Sequence, residues 1–292
     1  MKFRKSALFL AVISSASLQI AWAGEYRAAD VEECIRGLYS QADEDRASAG
    51  ERLSEMGPDA KAAVPRLIEI VQSDPTMSVR GEAAKALGSI GKPAAAAVPS
   101  LIAFLKGKEG GLERAYAATA LGNIQSQPAQ CLAVLTSVIQ ASDDDPTVRE
   151  LSARALGDFG GEAAAAVPVL ISAIKTGNKG MRDAASSSLA KIPAPASDVP
   201  ALIEMLSDEI TSVRGAAAQS LVGAGAAAAP AVPALVKLLQ DSDTSVRMSA
   251  VQALGALGKN ARLALPQLRL AAKDPFLKGA ADDAILAIKT AK

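Results

Sequence analysis

The chain repeats itself. The segment from Ala63, AVPRLIEIVQSDPTMSVRGEAAKALGSIG, returns from Ala231 as AVPALVKLLQDSDTSVRMSAVQALGALG. A period of this size constrains the fold before any local feature does, because a unit of some thirty residues cannot cover its own apolar face and must stack on its neighbours. With the Arg that follows Val79 and Val246 as phase marker, the series is Arg46, Arg80, Arg114, Arg149, Arg182, Arg214, Arg247 and then Lys278, at intervals of 34, 34, 35, 33, 32, 33 and 31 residues. The chain therefore reads as about eight copies of one unit.

Each unit carries two helical patterns. Around and after the Arg, Val79, Ala83, Leu87 and Ile90 fall at steps of 4, 4 and 3, one stripe of a 3.6-residue period. Gly91, Gly160, Gly225 and Gly258 close this helix, helix B, where a left-handed cap is wanted. The preceding helix A has Val64, Leu67, Ile68 and Val71, with Pro65, Pro99, Pro168, Pro200, Pro233 and Pro266 near its start. Those prolines either occupy the first turn or kink the helix away from its Ala-rich lead-in. Between A and B lies a loop with Asp six residues before the Arg: Asp74, Asp143, Asp208 and Asp241. Ala83, Ala117, Ala217 and Ala250, with Gly88, Gly122, Gly157 and Gly255, allow close helix approach. Glycine inside a helix costs about 1 kcal/mol against alanine, so its recurrence points to packing.

The spacing of Pro, Asp and Arg over roughly residues 30 to 290 resembles the HEAT repeat, in the short HEAT-like form typified by the phycobilin lyase family. The resemblance implies an all-α fold, an α-solenoid of about eight tandem helix pairs, right-handed as in its relatives. Unit boundaries are expected near 30–57, 58–91, 92–125, 126–160, 161–193, 194–225, 226–258 and 259–292. It also implies that Arg80, Arg114, Arg149, Arg182, Arg214 and Arg247, with Asp74, Asp143, Asp208 and Asp241, form hydrogen bonds and ion pairs within and between units, a structural role. Tetratricopeptide repeats would require a Trp and aromatic pattern, and ankyrin repeats a His-containing turn, neither of which is present. The Asp position holds Ser40, Lys108, Thr176 and Ala272 in other units, the Pro position holds Ala133 in one, and Lys278 replaces the last Arg. The loops from Lys106 and from Thr176 are expected to bend the stack or vary its surface.

Met1-Lys2-Phe3-Arg4-Lys5, an apolar run from Ala7 to Ile20 and the ending Ala21-Trp22-Ala23 have the order of a secretory signal peptide. Residues 1–23 are thus expected to be removed and 24–292 to form one domain, exported to the periplasm or secreted, with no integral membrane span. Removal takes away Lys2, Arg4 and Lys5 and no acid, leaving 28 basic against 31 acidic residues. That near balance offers no reason to expect nucleic acid or an anionic membrane as partner. Cys34 and Cys131 fall in helix A of units three apart, on the order of 25 to 30 Å in a regular stack of helices about 8 to 10 Å apart, too far for a disulfide. Two free, mostly buried thiols are expected, with an intermolecular bond as the alternative.

There is no His in the chain, and the one Trp, Trp22, lies in the signal segment. Imidazole bases, Ser-His-Asp triads and His metal ligands are excluded, which argues against the HEAT-like iron hydroxylases. Asp143-Asp144-Asp145 lacks the spacing of a calcium loop and reads as a helix N-terminus with a capping Asp. The glycines between Lys106 and Leu112 lack a Gly-Lys-Ser/Thr ending. Asp282-Asp283 and Glu51 with Glu55 read as solvated faces. Neither a cofactor nor a metal is expected.

Counted from each Arg, positions +2, +5 and +9 of helix B point outward: Glu82, Lys85, Ser89; Tyr116, Thr119, Asn123; Leu151, Arg154, Asp158; Ala184, Ser187, Lys191; Ala216, Gln219, Gly223; Ser249, Gln252, Ala256. Tyr, Leu and Arg exposed together are interface anchors, so the candidate surface is Tyr116, Leu151 and Arg154, flanked by Glu82, Lys85 and Asp158. In the other reading, Tyr116 and Leu151 merely pack on neighbouring units. The expectation is a monomeric, non-enzymatic scaffold or assembly module for protein partners. The alternatives are a lyase-like chromophore-handling protein, implied by the resemblance, and a purely structural envelope component.

Overall fold

The turn out of each helix B decides how the next unit begins. Gly57, Gly91, Gly160, Gly225 and Gly258 all have positive φ, and at Gly91 φ is 71° with ψ −138°. That is a region open only to glycine, not the left-handed cap anticipated, because the chain leaves it for a 3-10 segment instead of a loop. The computed structural model describes residues 29–142 and 144–291, so the segment read as an export signal and Asp143 lie outside it. The 3-10 segments Gly57–Ala63, Lys92–Ala97, Gly160–Ala166, Gly225–Ala231 and Gly258–Ala264, and a short one at Ala196–Asp198, lead into the next helix A. Pro65, Pro99, Pro168, Pro200, Pro233 and Pro266 each occupy the first turn of the α-helix that follows, where a missing N–H costs nothing.

Sixteen α-helices among the described residues form the pairs: α1 (29–37) with α2 (Asp43–Met56), α3 (Val64–Ser73) with α4 (Met77–Ile90), α5 (Val98–Leu105) with α6 (Gly111–Ile124), α7 (Pro128–Gln140) with α8 (Pro146–Asp158), α9 (Val167–Thr176) with α10 (Lys179–Leu189), α11 (Val199–Met205) with α12 (Thr211–Gly223), α13 (Val232–Leu238) with α14 (Thr244–Ala256), and α15 (Leu265–Ala271) with α16 (Lys278–Thr290). The odd helices are A and the even ones B. Each B helix lies against its own A helix and along the B helices on either side, whereas A helices meet over shorter stretches. Closer spacing on one side curves the stack, so the B helices line its inner face. The fold is an all-α solenoid, as the period requires. Helix α7 departs from the pattern: it starts at Pro128 with no 3-10 lead-in, after Gln125 and Gln127 at φ 49° and 51°.

The core is one continuous seam of Leu, Ile, Val and Ala, from Leu38 and Leu53 at one end to Leu268 and Ile288 at the other. Cys34 on α1 and Cys131 on α7 are buried and unpaired with each other. Burial alone pushes the Cys131 thiol up to about 11.

Arginine and aspartate join successive units. Arg46 Nε donates to Asp74 at 2.7 Å, Arg114 grips Asp144 through both terminal nitrogens at 2.8 Å, Arg214 Nε donates to Asp241 at 2.7 Å, and Arg247 reaches Asp274 at 3.2 Å. Each Asp belongs to the loop of the unit after its Arg. Asp74, Asp241 and Asp274 also accept the amide two residues on, from Thr76, Asp243 and Phe276, which holds the carboxylate in place. Two loops add to the expected spacing, and in one of them the expected Asp143 lies outside the described residues. In unit four the rung is closed by Asp144, next to the expected Asp143, while Asp145 caps α8 by accepting from the Thr147 and Val148 amides. In the last unit Ala272 does not stand where the Asp is needed; Asp274 does, because position is set by the end of helix A and not by distance from the following Arg.

Among the described residues three rungs are absent. Where Lys108 replaces Asp, Arg80 donates to the Val71 carbonyl and stacks 4.5 Å from the Phe104 ring. Where Thr176 replaces it, Arg149 donates to the Ile139 carbonyl. Arg182 donates to the Gly177 carbonyl instead of Asp208, leaving its Nε buried without a protein partner. The Asp208 carboxylate accepts its own loop amide, from Ile210.

Acid should dissolve the remaining rungs. Hydrogen bonds from Arg114 and Arg214 hold the carboxyls of Asp144 and Asp241 below the ordinary range. At Asp74 burial works the other way and is outweighed by the bonds from Arg46 and the Thr76 amide. A depressed folded-state value means that the stabilisation is complete above the unfolded value, about 3.9, and is lost as pH falls below it. The urea midpoint is expected to hold above about pH 5 and to fall steadily toward pH 2. A midpoint that is flat across that range would contradict this.

The same region carries two polar side chains that help nothing. The hydroxyls of Ser152 and Ser186 are buried without a protein partner, at positions where other units have Ala83, Ala117 and Ala217, or Ala84, Ala118 and Ala218. Ser152→Ala and Ser186→Ala are each expected to raise stability by about 1 kcal/mol, since an unpaired buried donor costs about 1 to 3 kcal/mol. Equal or lower denaturation midpoints would refute this.

Candidate partner-binding face

Helices α4, α6, α8 and α10 run side by side on the inner face, so their outward positions form columns. At +5, Thr119, Arg154 and Ser187 are exposed and Lys85 is half-exposed. Arg154, Asp158 and Leu151 line a cavity of about 240 Å³ together with Thr119, Ala155, Ser187 and Lys191. Beside it, a wider depression of about 730 Å³ runs along the C-terminal ends of these helices, lined by Pro58, Ser89, Lys92, Asn123, Gln125, Asp158 and Lys191 among others. Asp158 and Lys191 belong to both, and they pair across the α8–α10 step at 2.9 Å. The Gln125 side-chain amide donates to the Asp158 carbonyl, tying α6 to the end of α8.

The expected patch is only partly assembled. Leu151, Arg154 and Asp158 share the smaller cavity. Glu82 and Lys85 pair with each other at 3.3 Å on α4. Tyr116 and Leu151 are half-buried and packed against the core, which favours the packing reading for Tyr116 and leaves Leu151 as a cavity wall. Ala184 and Ala216, expected to face outward, are buried. The +2 column lies at the edge of the stack, where Glu82, Tyr116, Leu151 and Ser249 are all half-covered, and a side chain as small as alanine is covered completely.

Lys92 and Gln125 were missed by counting along helix B, because they lie beyond its end. Gln125 was discoverable: it follows α6 directly, where Gly91 follows α4, and it adopts positive φ without being glycine. Strain of that kind persists only where the surroundings enforce it, and here the bond to the next unit does so. Among the described residues no set of three or more acidic or thiol side chains is placed to hold a metal, and no helix is long and apolar enough to cross a membrane.

The family described as HEAT repeats matches residues 31–109, 98–190 and 199–289. The fold is similar to that of an engineered protein solved by the Northeast Structural Genomics Consortium, with 24% identity, 89% of this chain and 78% of that one covered, and a TM-score of 0.64. It is also similar to YibA of Escherichia coli, with 21% identity, 100% of both chains covered and a TM-score of 0.58. Likeness at such identities speaks for the fold alone. Among curated proteins none matches the chain in sequence.

Proposed function

We propose, on the premise that this chain belongs to the family of HEAT-repeat proteins, that it is a non-enzymatic scaffold which binds a protein partner along its inner face. One observation carries the reading: the cavity walled by Leu151 and Arg154 opens beside the depression along the helix ends, and the two meet at the Asp158–Lys191 pair. Such a surface pairs an apolar wall with an exposed guanidinium, the combination that anchors interfaces. The order of charges and apolar residues in the first 23 positions supports export, which places the partner in the periplasm or outside the cell. N-terminal sequencing of the native protein tests that part; a chain starting at Gly24 is expected.

Arg154→Glu combined with Lys191→Glu reverses two exposed charges on this face without touching the core. Proteins crosslinked to the wild-type chain in the intact organism and identified by mass spectrometry should be lost with the variant. Recovery of the same partners in the same yield would overturn the assignment of this face.

A further inference from the structure

The exposed apolar side chains are not spread along the solenoid. Of the six large ones among the described residues, Leu263, Leu270, Phe276 and Leu286 all belong to the last unit, with Leu263 at 86% and Phe276 at 79% exposure. Arg262 and Leu263 in the 3-10 lead-in, Arg269 and Leu270 in α15 and Lys273 just after it are all exposed, while Ala261, Ala264, Leu268 and Ala271 between them are buried. From Lys259 to Lys273 there are four basic residues and no acid, and none of the four has an ion-pair partner among the described residues. The near-neutral balance of the whole chain conceals this local excess.

The repeat supplies its own control. Leu270 stands four residues after its proline, where the corresponding helices have Glu69, Ala103, Ser172, Glu204 and Lys237. Leu263 stands three before it, where they have Ala62, Ala96, Ala165, Ser197 and Pro230. End units tend to carry a polar outer face, which explains Arg269 in place of the half-covered Ile68 or Ile203 but not the two leucines. Stacking does not explain them either, since both point away from the core.

We propose that this outward face of the last helix A docks on a lipid surface bearing anionic headgroups. The leucine side chains enter the headgroup boundary while the arginine and lysine heads stay at phosphate level, their alkyl stems lying along the same apolar layer. Each cation near an anionic leaflet adds to the attraction, which salt weakens. The surface is distinct from the inner face that holds the protein partner, so the solenoid would lie with that face directed away from the membrane.

The test is co-sedimentation of the full chain with vesicles of phosphatidylcholine alone and of phosphatidylcholine mixed with phosphatidylglycerol. Preferential binding to the mixed vesicles, reduced by salt, is expected. Leu263→Asp with Leu270→Asp, and separately Arg262→Glu with Arg269→Glu, should each weaken that binding about tenfold, with circular dichroism melts unchanged because all four residues are exposed. Undiminished binding by both variants would overturn the proposal, since the affinity would then reside elsewhere, for instance in the apolar run from Ala7 to Ile20. So would absence of binding to either vesicle, or self-association in sedimentation equilibrium that the leucine variant abolishes, which would make the face a contact between copies.

Discussion

Asp144→Ala is expected to destabilise the solenoid by about 3 kcal/mol, the usual cost of stripping one partner from a buried ion pair. The Arg114 and Asp144 side chains are only 4% and 7% exposed, and the two terminal nitrogens of Arg114 have Asp144 as their partner, Nε being taken by the Leu105 carbonyl. The loss comes mainly from leaving a guanidinium unpaired in a desolvated place, not from the net worth of the pair. Arg114→Met combined with Asp144→Ala should therefore recover much of the deficit, and the double-mutant cycle in urea measures the coupling. If the double variant is no more stable than Asp144→Ala alone, the account is wrong. The neighbouring rungs offer a comparison: Arg80 and Arg149 manage without an Asp by using carbonyls and, for Arg80, the Phe104 ring. An arginine at this position of helix B can thus be satisfied in more than one way.

Gly157→Val is expected to cost about 3 kcal/mol, the upper end of what overpacking a close-packed site costs. A Cβ at Gly157 would lie 2.8 Å from the Cα of Ser188 on the next B helix, and at Gly88 2.8 Å from the Cα of Ala120. Backbone, not a flexible side-chain tip, is the obstacle, so α10 would have to move away from α8 and take the Ser188 hydroxyl bond to the Ala153 carbonyl with it. Gly215→Ala is the control. Its Cβ would meet nothing nearer than a Val246 methyl at 3.7 Å, so the helix preference for alanine should raise stability by roughly 0.5 to 1 kcal/mol. Chemical denaturation of the two variants should give shifts of opposite sign; shifts of the same sign would show that the glycines are not what sets the B-helix spacing.

How far the site could be read beforehand follows from where its residues lie. Leu151, Arg154 and Asp158 occupy regular positions on one helix, where a 3.6-residue period assigns a face, and they do line a common cavity. Lys191 was on the same count, one unit later, but its pairing with Asp158 depends on the step between α8 and α10. Lys92 and Gln125 follow the ends of their helices, in segments whose path no periodicity describes. Tyr116 is outward on a lone helix, which marks it as an anchor, yet in the stack it is half-buried against the core.

The amino-acid order alone determined that this chain is a solenoid of eight helix pairs. A period of 31 to 35 residues, an apolar stripe in each half and glycines at the helix ends are properties of neighbouring residues, and stacked helix pairs accommodate them. Only the tertiary structure decided which aspartate closes each rung, which outward positions remain open and which of them meet. These depend on the shift between one unit and the next, and that shift is the summed outcome of loop lengths, the 3-10 lead-ins and close glycine contacts. It put Asp144 and Asp274 in the rungs of units four and eight, buried Ala184 and Ala216, and left the last unit with its leucines facing solvent.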